Sequence, residues 1–178
     1  MQRACARIAL RESARKCGAP EDGWVKNADD VPQPQGGLHW SIAHKRHWAV
    51  AVIADQPVGI DIECIEPRRD DAFDALAGSD EWGIIGERSW LAFFRLWTAK
   101  EAVLKANGAG IAEFDACLLV KADDSHHLTL NYQSQEWSVE HYYHAGHVAA
   151  VTCSGETVNW LVVEDIADEG IAATADDD

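Results

Sequence analysis

The sequence predicts an α+β fold of two similar α/β lobes, each a helix followed by antiparallel strands. Three observations predict it. A helical stretch over residues 3–17 precedes one set of strand-like runs, and a second over 93–107 precedes another. Each set closes on a strand-turn-strand stretch, Val50–Glu63 in the first and Val148–Asp165 in the second. The two stretches share an apolar pattern, as copies of one unit would. Lobes related by a pseudo-twofold would leave a cleft where unlike residues meet. The expected division is 1–78 for the first lobe, 79–165 for the second, and 166–178 for an acidic tail.

Each element has a local reason. Arg3, Arg7, Arg11 and Arg15 recur every four residues, so the first helix carries a basic stripe with Ile8 and alanines opposite. Pro20, Pro32, Pro34 and Gly36-Gly37 make residues 18–37 a loop. Leu38–His44 alternates apolar and polar residues, and Trp48–Ala54 is a continuous apolar run, as in a buried strand. Val58–Glu63 puts Ile60 and Ile62 on one face, Asp61 and Glu63 on the other. Residues 64–92 are polar with short helical pieces, one capped by Ser79. In the 93–107 helix, Leu96, Lys100, Val103 and Asn107 share one side; Phe93, Trp97, Glu101, Leu104 and Lys105 share another. Gly108 and Gly110 end it. Further strands are expected at about 116–121, 127–132, 136–144, 147–153 and 157–164.

Composition narrows the function. The chain has 178 residues, 47% of them apolar, which is globular. No run of 18 apolar residues marks a membrane span, and Met1–Leu10 lacks the apolar core of a secretory signal. The net charge of −15 argues against a nucleic-acid partner, which needs a basic footprint. Five scattered cysteines with no C-x-x-C pair predict reduced thiols in a cytoplasm. A monomer without membrane attachment is expected.

Two groups of residues can carry chemistry. Asp61 and Glu63 repel one another on one strand face, which a hard cation with oxygen ligands would relieve. A solvent-facing strand edge would also carry such a pair. Glu101 sits among large apolar groups and needs a counter-charge, which Lys105 supplies one turn on. A plain helix-stabilising pair would look the same. His141, His144 and His147 alternate faces on a strand and are not gathered into a site.

Three blocks, Ser41-Ile42-Ala43-His44, Gly59-Ile60-Asp61-Ile62-Glu63 and Trp97 to Lys105, stand in the order and spacing of a known family. They resemble the 4′-phosphopantetheinyl transferase superfamily, in its two-lobed, surfactin-synthetase-activating type. The resemblance covers about residues 30 to 115, with Asp61 and Glu101 forty positions apart. It implies that fold, and transfer of the 4′-phosphopantetheine arm of coenzyme A to a serine of an acyl, peptidyl or aryl carrier protein, releasing 3′,5′-ADP. It implies Mg²⁺, with Mn²⁺ as a substitute, held by Asp61, Glu63 and Glu101. Glu101 is implied as the base for the serine, and Lys105 as the group neutralising the leaving phosphate. His44 and Lys105, with Arg3 or Arg7, are implied to hold the cofactor; Lys100, turned about 100° from Glu101 on the helix, would either reach the cofactor or carrier or support the structure. The chain departs from the family at Ala43, where a serine is usual, and in a shorter N-terminal part. Pro32-Gln33-Pro34 stands in for a Gly-Lys-Pro-like segment. Part of the arginine stripe, with Lys16, is expected to face the cleft and meet phosphates or an acidic carrier. Two other functions remain: a non-catalytic coenzyme A- or carrier-binding module, which Ala43 and the shorter N-terminal part would suit but the intact Asp61, Glu63, Glu101 and Lys105 set speaks against, and a metal-dependent phosphohydrolase using the same carboxylates, for which no second metal cluster or His-Asp motif is evident.

Overall fold

A computed structural model describes residues 2–155 and 157–163, with side chains from Cys5 onward. The strand-forming runs sort into two antiparallel sheets, each covered by one long helix. In chain order the elements are α1 (Gln2–Cys17), β1 (His39–Lys45), β2 (Trp48–Ala54), β3 (Ile60–Cys64), α2 (Ala72–Leu76), α3 (Ser79–Ile85) and α4 (Trp90–Ala106). A 3₁₀ turn (Ile111–Ala116) then leads to β4 (Leu118–Ala122), β5 (His127–Tyr132), β6 (Gln135–His144) and β7 (His147–Cys153). β1 and β2 form a two-stranded ribbon; the other sheet runs β3-β7-β6-β5-β4. The fold is α+β, as expected.

The apolar spacing explains how each helix sits. Ala6, Leu10 and Ala14 fall four apart on α1 and are buried where it packs on the ribbon. Arg7, Arg11 and Arg15 therefore point to solvent. In α4, Phe93, Leu96, Ala99, Val103 and Leu104 are all buried. This helix lies on the inner face of the larger sheet, against Leu128, Leu130, Val139, Val148 and Ala150. Ser89 caps it, its Oγ accepting the Ala92 N–H at 3.1 Å. At the other end Gly108 takes φ +64° and lets the Ala109 N–H reach the Leu104 carbonyl at 2.9 Å. Gly110 has ordinary φ and instead begins the 3₁₀ turn.

Three expectations are corrected. β3 is not the second arm of a hairpin with β2. It pairs with β7, from Ile60 opposite Val151 to Cys64 opposite His147, so it belongs to the sheet placed in the second lobe. Gly59 is the physical reason that this strand lies so close to α4. A Cβ there would fall onto the Ala102 carbonyl oxygen and within 2.6 Å of the Ala106 nitrogen. Second, residues 157–163 form no strand. Both edges of β7 are taken, by β3 and β6, so this segment crosses the outer sheet face. Trp160 donates to Glu140 at 2.8 Å and stacks on Tyr142. The two strand-turn-strand stretches are thus unlike, and the likeness of the halves is limited to one helix on one sheet. Third, Ser79 is inside α3 rather than capping it; Gly78 holds the cap position and donates its N–H to Glu81 Oε2 at 3.4 Å. The end of the Val148–Asp165 stretch and the acidic tail lie outside the described residues.

Candidate active site

The close approach at Gly59 sets up the chemistry. Two residues on, Asp61 leaves β3 on the face that meets α4. Lys105, in the last turn of α4, places its Nζ 2.6 Å from Asp61 Oδ1 and 3.4 Å from the Ile60 carbonyl oxygen. A helix residue is thereby tied to a strand residue 44 positions away. Thr152 of β7 anchors the start of β3. Its Oγ1 accepts the Gly59 N–H at 3.0 Å, and its own N–H donates to the Gly59 carbonyl at 3.0 Å.

Asp61 is 6% exposed, and its Oδ2 is buried without a hydrogen-bond partner. Burial pushes its carboxyl up to about 6; Lys105 pulls the other way, and Glu101 and Glu63 add to the rise. Glu101, half-buried one turn before Lys105, is also raised, first by burial, with Lys105 opposing and Glu63 reinforcing. The three carboxylates thus act on one another, but between a strand and the helix covering its own sheet rather than across a cleft between two lobes. Glu63 faces a group the sequence reading passed over: Lys45 Nζ lies 2.6 Å from its Oε2, an ion contact without hydrogen-bond alignment, so this buried oxygen too has no hydrogen-bond partner. A signal for Lys45 existed in the alternation of β1. Ser41, Ala43 and Lys45 share a face; Ser41 Oγ accepts the Ile60 N–H at 3.2 Å and Ala43 packs on Ile62.

The remaining expected site residues are more scattered. His44 is exposed at the end of β1, on the strand face opposite Lys45. Lys100 is corrected. It is 1% exposed, 3.0 Å from Glu81 Oε1, and donates to the Leu76 carbonyl at 3.3 Å. Glu81 also accepts the Leu119 N–H at 2.9 Å. Lys100 therefore braces α3 and β4 against α4 and has no reach to a cofactor. The 100° step per helix residue turns it away from Glu101 into the core. Nothing local in the sequence marks Glu81 as its partner. Arg7 is exposed on α1, and the side chain of Arg3 lies outside the described residues. Arg11 pairs with Asp22 at 2.8 Å, and Arg15 with Glu12 at 2.6 Å and Glu21 at 2.9 Å. Much of the basic stripe is thus answered by α1 itself and the loop after it. His141 is buried against the Arg95 and His126 carbonyls at 3.0 and 2.9 Å, a core histidine.

Two cavities flank β3. A groove of about 970 Å³ runs along β2 between Ile8 of α1, Ile60 and Ile62, and Trp160. It opens on the opposite face of β3 from Asp61 and Glu63. A smaller cavity of about 170 Å³ lies beside Lys105, bounded by Pro32, Pro34 and Trp40. The Pro32-Gln33-Pro34 loop therefore does approach the end of α4.

As they stand, no three His, Cys, Asp or Glu groups among the described residues are arranged to hold a metal ion; Lys105 and Lys45 occupy Asp61 and Glu63 instead. The donor set nonetheless suits a hard cation. Glu101 and Glu63 both push the Asp61 carboxyl up, and Asp61 Oδ2 and Glu63 Oε2 are buried oxygens with no hydrogen-bond partner.

The family model for the 4′-phosphopantetheinyl transferase superfamily matches residues 57–153, more than half of the chain. The chain belongs to the 4′-phosphopantetheinyl transferase superfamily. In this superfamily member the matched stretch runs from the approach to β3 through β7 and takes in Asp61, Glu63, Glu101 and Lys105. The ribbon with His44 and Lys45 lies outside it. Among curated relatives, a 4′-phosphopantetheinyl transferase of Bacillus pumilus is 34% identical over 48% of this chain and 39% of its own length. One from Aneurinibacillus migulanus is 32% identical over 48% of this chain and 38% of its own length. Another, from Bacillus subtilis, is 30% identical over 50% and 42%. The chain thus spans about two fifths of the length of each of these relatives. Among the described residues no helix is long and apolar enough to cross a membrane, and all five cysteines are free.

Proposed function

We propose that this chain transfers the 4′-phosphopantetheine arm of coenzyme A to a serine hydroxyl of an acyl, peptidyl or aryl carrier protein, releasing 3′,5′-ADP. The observation that carries this reading is the Lys105–Asp61 contact. It brings the Gly-Ile-Asp strand onto the Lys-Glu helix and leaves a buried carboxylate oxygen open beside Glu101 and Glu63.

In the reaction a bond forms between the serine oxygen and phosphorus, and the bond from phosphorus to the 3′,5′-ADP oxygen breaks. Such transfers depend on positioning and charge neutralisation more than on covalent help. Mg²⁺, or Mn²⁺ in its place, would be held by Asp61, Glu63 and Glu101 and would supply charge neutralisation on the pyrophosphate. Glu101 accepts the serine proton; its raised affinity for protons suits a general base. Lys105, about a third exposed, offers its ammonium to the departing phosphate. His44 grips the 3′-phosphate, with Arg3 or Arg7 of α1. The protein works as a cytoplasmic monomer, without nucleic acid or membrane.

The test is to incubate the chain with coenzyme A, Mg²⁺ and an apo-carrier and to weigh the carrier. A phosphopantetheine mass increment is expected, lost in Asp61→Ala and Glu101→Ala. Coenzyme A binding without any increment would refute the transferase reading.

A further inference from the structure

We propose that Lys45 is a displaceable counter-ion. It holds Glu63 until a divalent cation takes that carboxylate, and then turns to a phosphate of the incoming cofactor. The inference rests on the reading above for the identity of the cofactor, but its observations are separate from it. The docking of β1 along β3 sets the position: Ser41 meets the Ile60 N–H, Ala43 meets Ile62, and Lys45 Nζ arrives 2.6 Å from Glu63 Oε2. The ion pair is therefore built by the packing of two strands rather than by two surface side chains that happen to touch.

Two ammonium groups answer two of the three carboxylates, and they are not held alike. Lys105 contacts both Asp61 and the Ile60 carbonyl, whose strand is pressed against its own helix. Lys45 stands at the last position of its strand, with its side chain 31% exposed, while Glu63 is 16% exposed. Water can solvate the lysine as it leaves, whereas the carboxylate stays mostly enclosed. The cost of opening therefore falls on the enclosed carboxylate, and a cation that takes the place of the lysine removes it. Beside the pair, Asp61 Oδ2 is already buried and unpartnered. A divalent cation that takes Glu63 through Oε2 competes with Nζ for that oxygen, because two positive charges held so close in an enclosed site repel one another. The freed ammonium remains at the end of β1, on the strand face opposite His44, where a phosphate-bearing ligand can take it. The two binding events then favour one another: the cation frees Lys45 for phosphate, and phosphate draws Lys45 off Glu63.

The test reads cation binding directly. Free Mn²⁺ is followed by electron paramagnetic resonance during titration of the full chain, with and without saturating coenzyme A. Lys45→Ala is expected to bind Mn²⁺ alone about fivefold more tightly than wild type, the scale of one part-exposed ion pair. Coenzyme A should then tighten Mn²⁺ less in Lys45→Ala than in wild type. Lys45→Arg keeps the charge and should behave as wild type. In a Glu63→Gln background, Lys45→Ala should change Mn²⁺ affinity little, which separates the specific pair from general charge removal. Unchanged or weaker Mn²⁺ binding in a folded Lys45→Ala, or an equal effect in the Glu63→Gln background, overturns the proposal. If wild type modifies an apo-carrier and Lys45→Ala leaves Mn²⁺ affinity unchanged, the counter-ion role falls alone. If wild type fails to modify any carrier but Lys45→Ala tightens Mn²⁺, the transferase reading falls and the counter-ion stands.

Discussion

Replacing Asp61 by asparagine keeps the shape and removes the charge, so it isolates what burying that charge costs. The carboxyl is displaced from 3.8 to about 6, with burial as the leading cause. The sign follows from proton counting. Between these two values the folded chain holds a proton that the unfolded chain has released, so stability from this group falls as pH rises, and the full cost is present above pH 6. A displacement of about two pH units corresponds to about 3 kcal/mol. In EDTA, Asp61→Asn is therefore expected to exceed wild type in stability by up to about 3 kcal/mol at pH 8. The difference should shrink below about 1 kcal/mol near pH 4. The opposing pull of Lys105 is already contained in that displacement, and its ammonium, on a side chain 32% exposed, is taken up by water when the charged partner goes. Urea denaturation of both proteins across this pH range measures the difference, and the histidines common to both cancel. Equal stabilities at pH 8, or a less stable variant there, would refute the reasoning. The same variant should lose Mn²⁺ binding, a site held at the expense of stability.

Four further outcomes can be checked. Lys100→Met should cost about 3 kcal/mol in urea denaturation, because it leaves Glu81 enclosed without its cation; coenzyme A affinity of the folded variant should be unchanged. Gly59→Ala should cost about 3 kcal/mol, since its Cβ overlaps backbone atoms of α4 that cannot step aside. Mn²⁺ affinity should fall with it as β3 is pushed from the helix. Ser89→Ala should lower stability by about 1 kcal/mol through the lost α4 cap, with no change in carrier modification. His44→Ala should weaken coenzyme A more than dephospho-coenzyme A in calorimetry, and equal losses would remove the 3′-phosphate role.

The helices and most strands were legible because their signals are local. β5 and β7 fall where the residue pattern put them, and α4 begins three residues earlier than expected because Ser89 caps it. Pairing was less legible. The pattern of Val58–Glu63 fits a partner in either sheet, and the choice of β7 depends on how closely Gly59 lets the strand approach α4. The β5–β6 turn carries no Asn-Gly signal either; Gln133 and Ser134 both adopt positive φ because the flanking strands impose it. At the candidate site, Asp61 and Glu63 stood out as a repelling pair on one strand face, and Glu101 as a charge among large apolar groups with Lys105 one turn on. Their partners did not. The helix-pair rule assigned Lys105 to Glu101, yet its ammonium lies on Asp61. Lys100 looked like a candidate ligand because its burial depends on Glu81, a contact made only after α3 folds against α4.

The ribbon of β1 and β2 has a consequence for how the molecule opens. A two-stranded sheet has little stability of its own. This one is attached to β3 through the Ser41 hydrogen bond, the Ala43 contact and the Lys45–Glu63 pair, while β2 faces Ile60 and Ile62 across the wide groove. The larger sheet and α4 keep their own core when the ribbon lifts away. Amide protons of β1 and β2 should exchange through a partial opening of low free energy, and those of β6, β7 and α4 only through global unfolding. Since His44 and Lys45 travel with the ribbon, a bound phosphate ligand would slow exchange across all of β1 and β2, including residues it never touches.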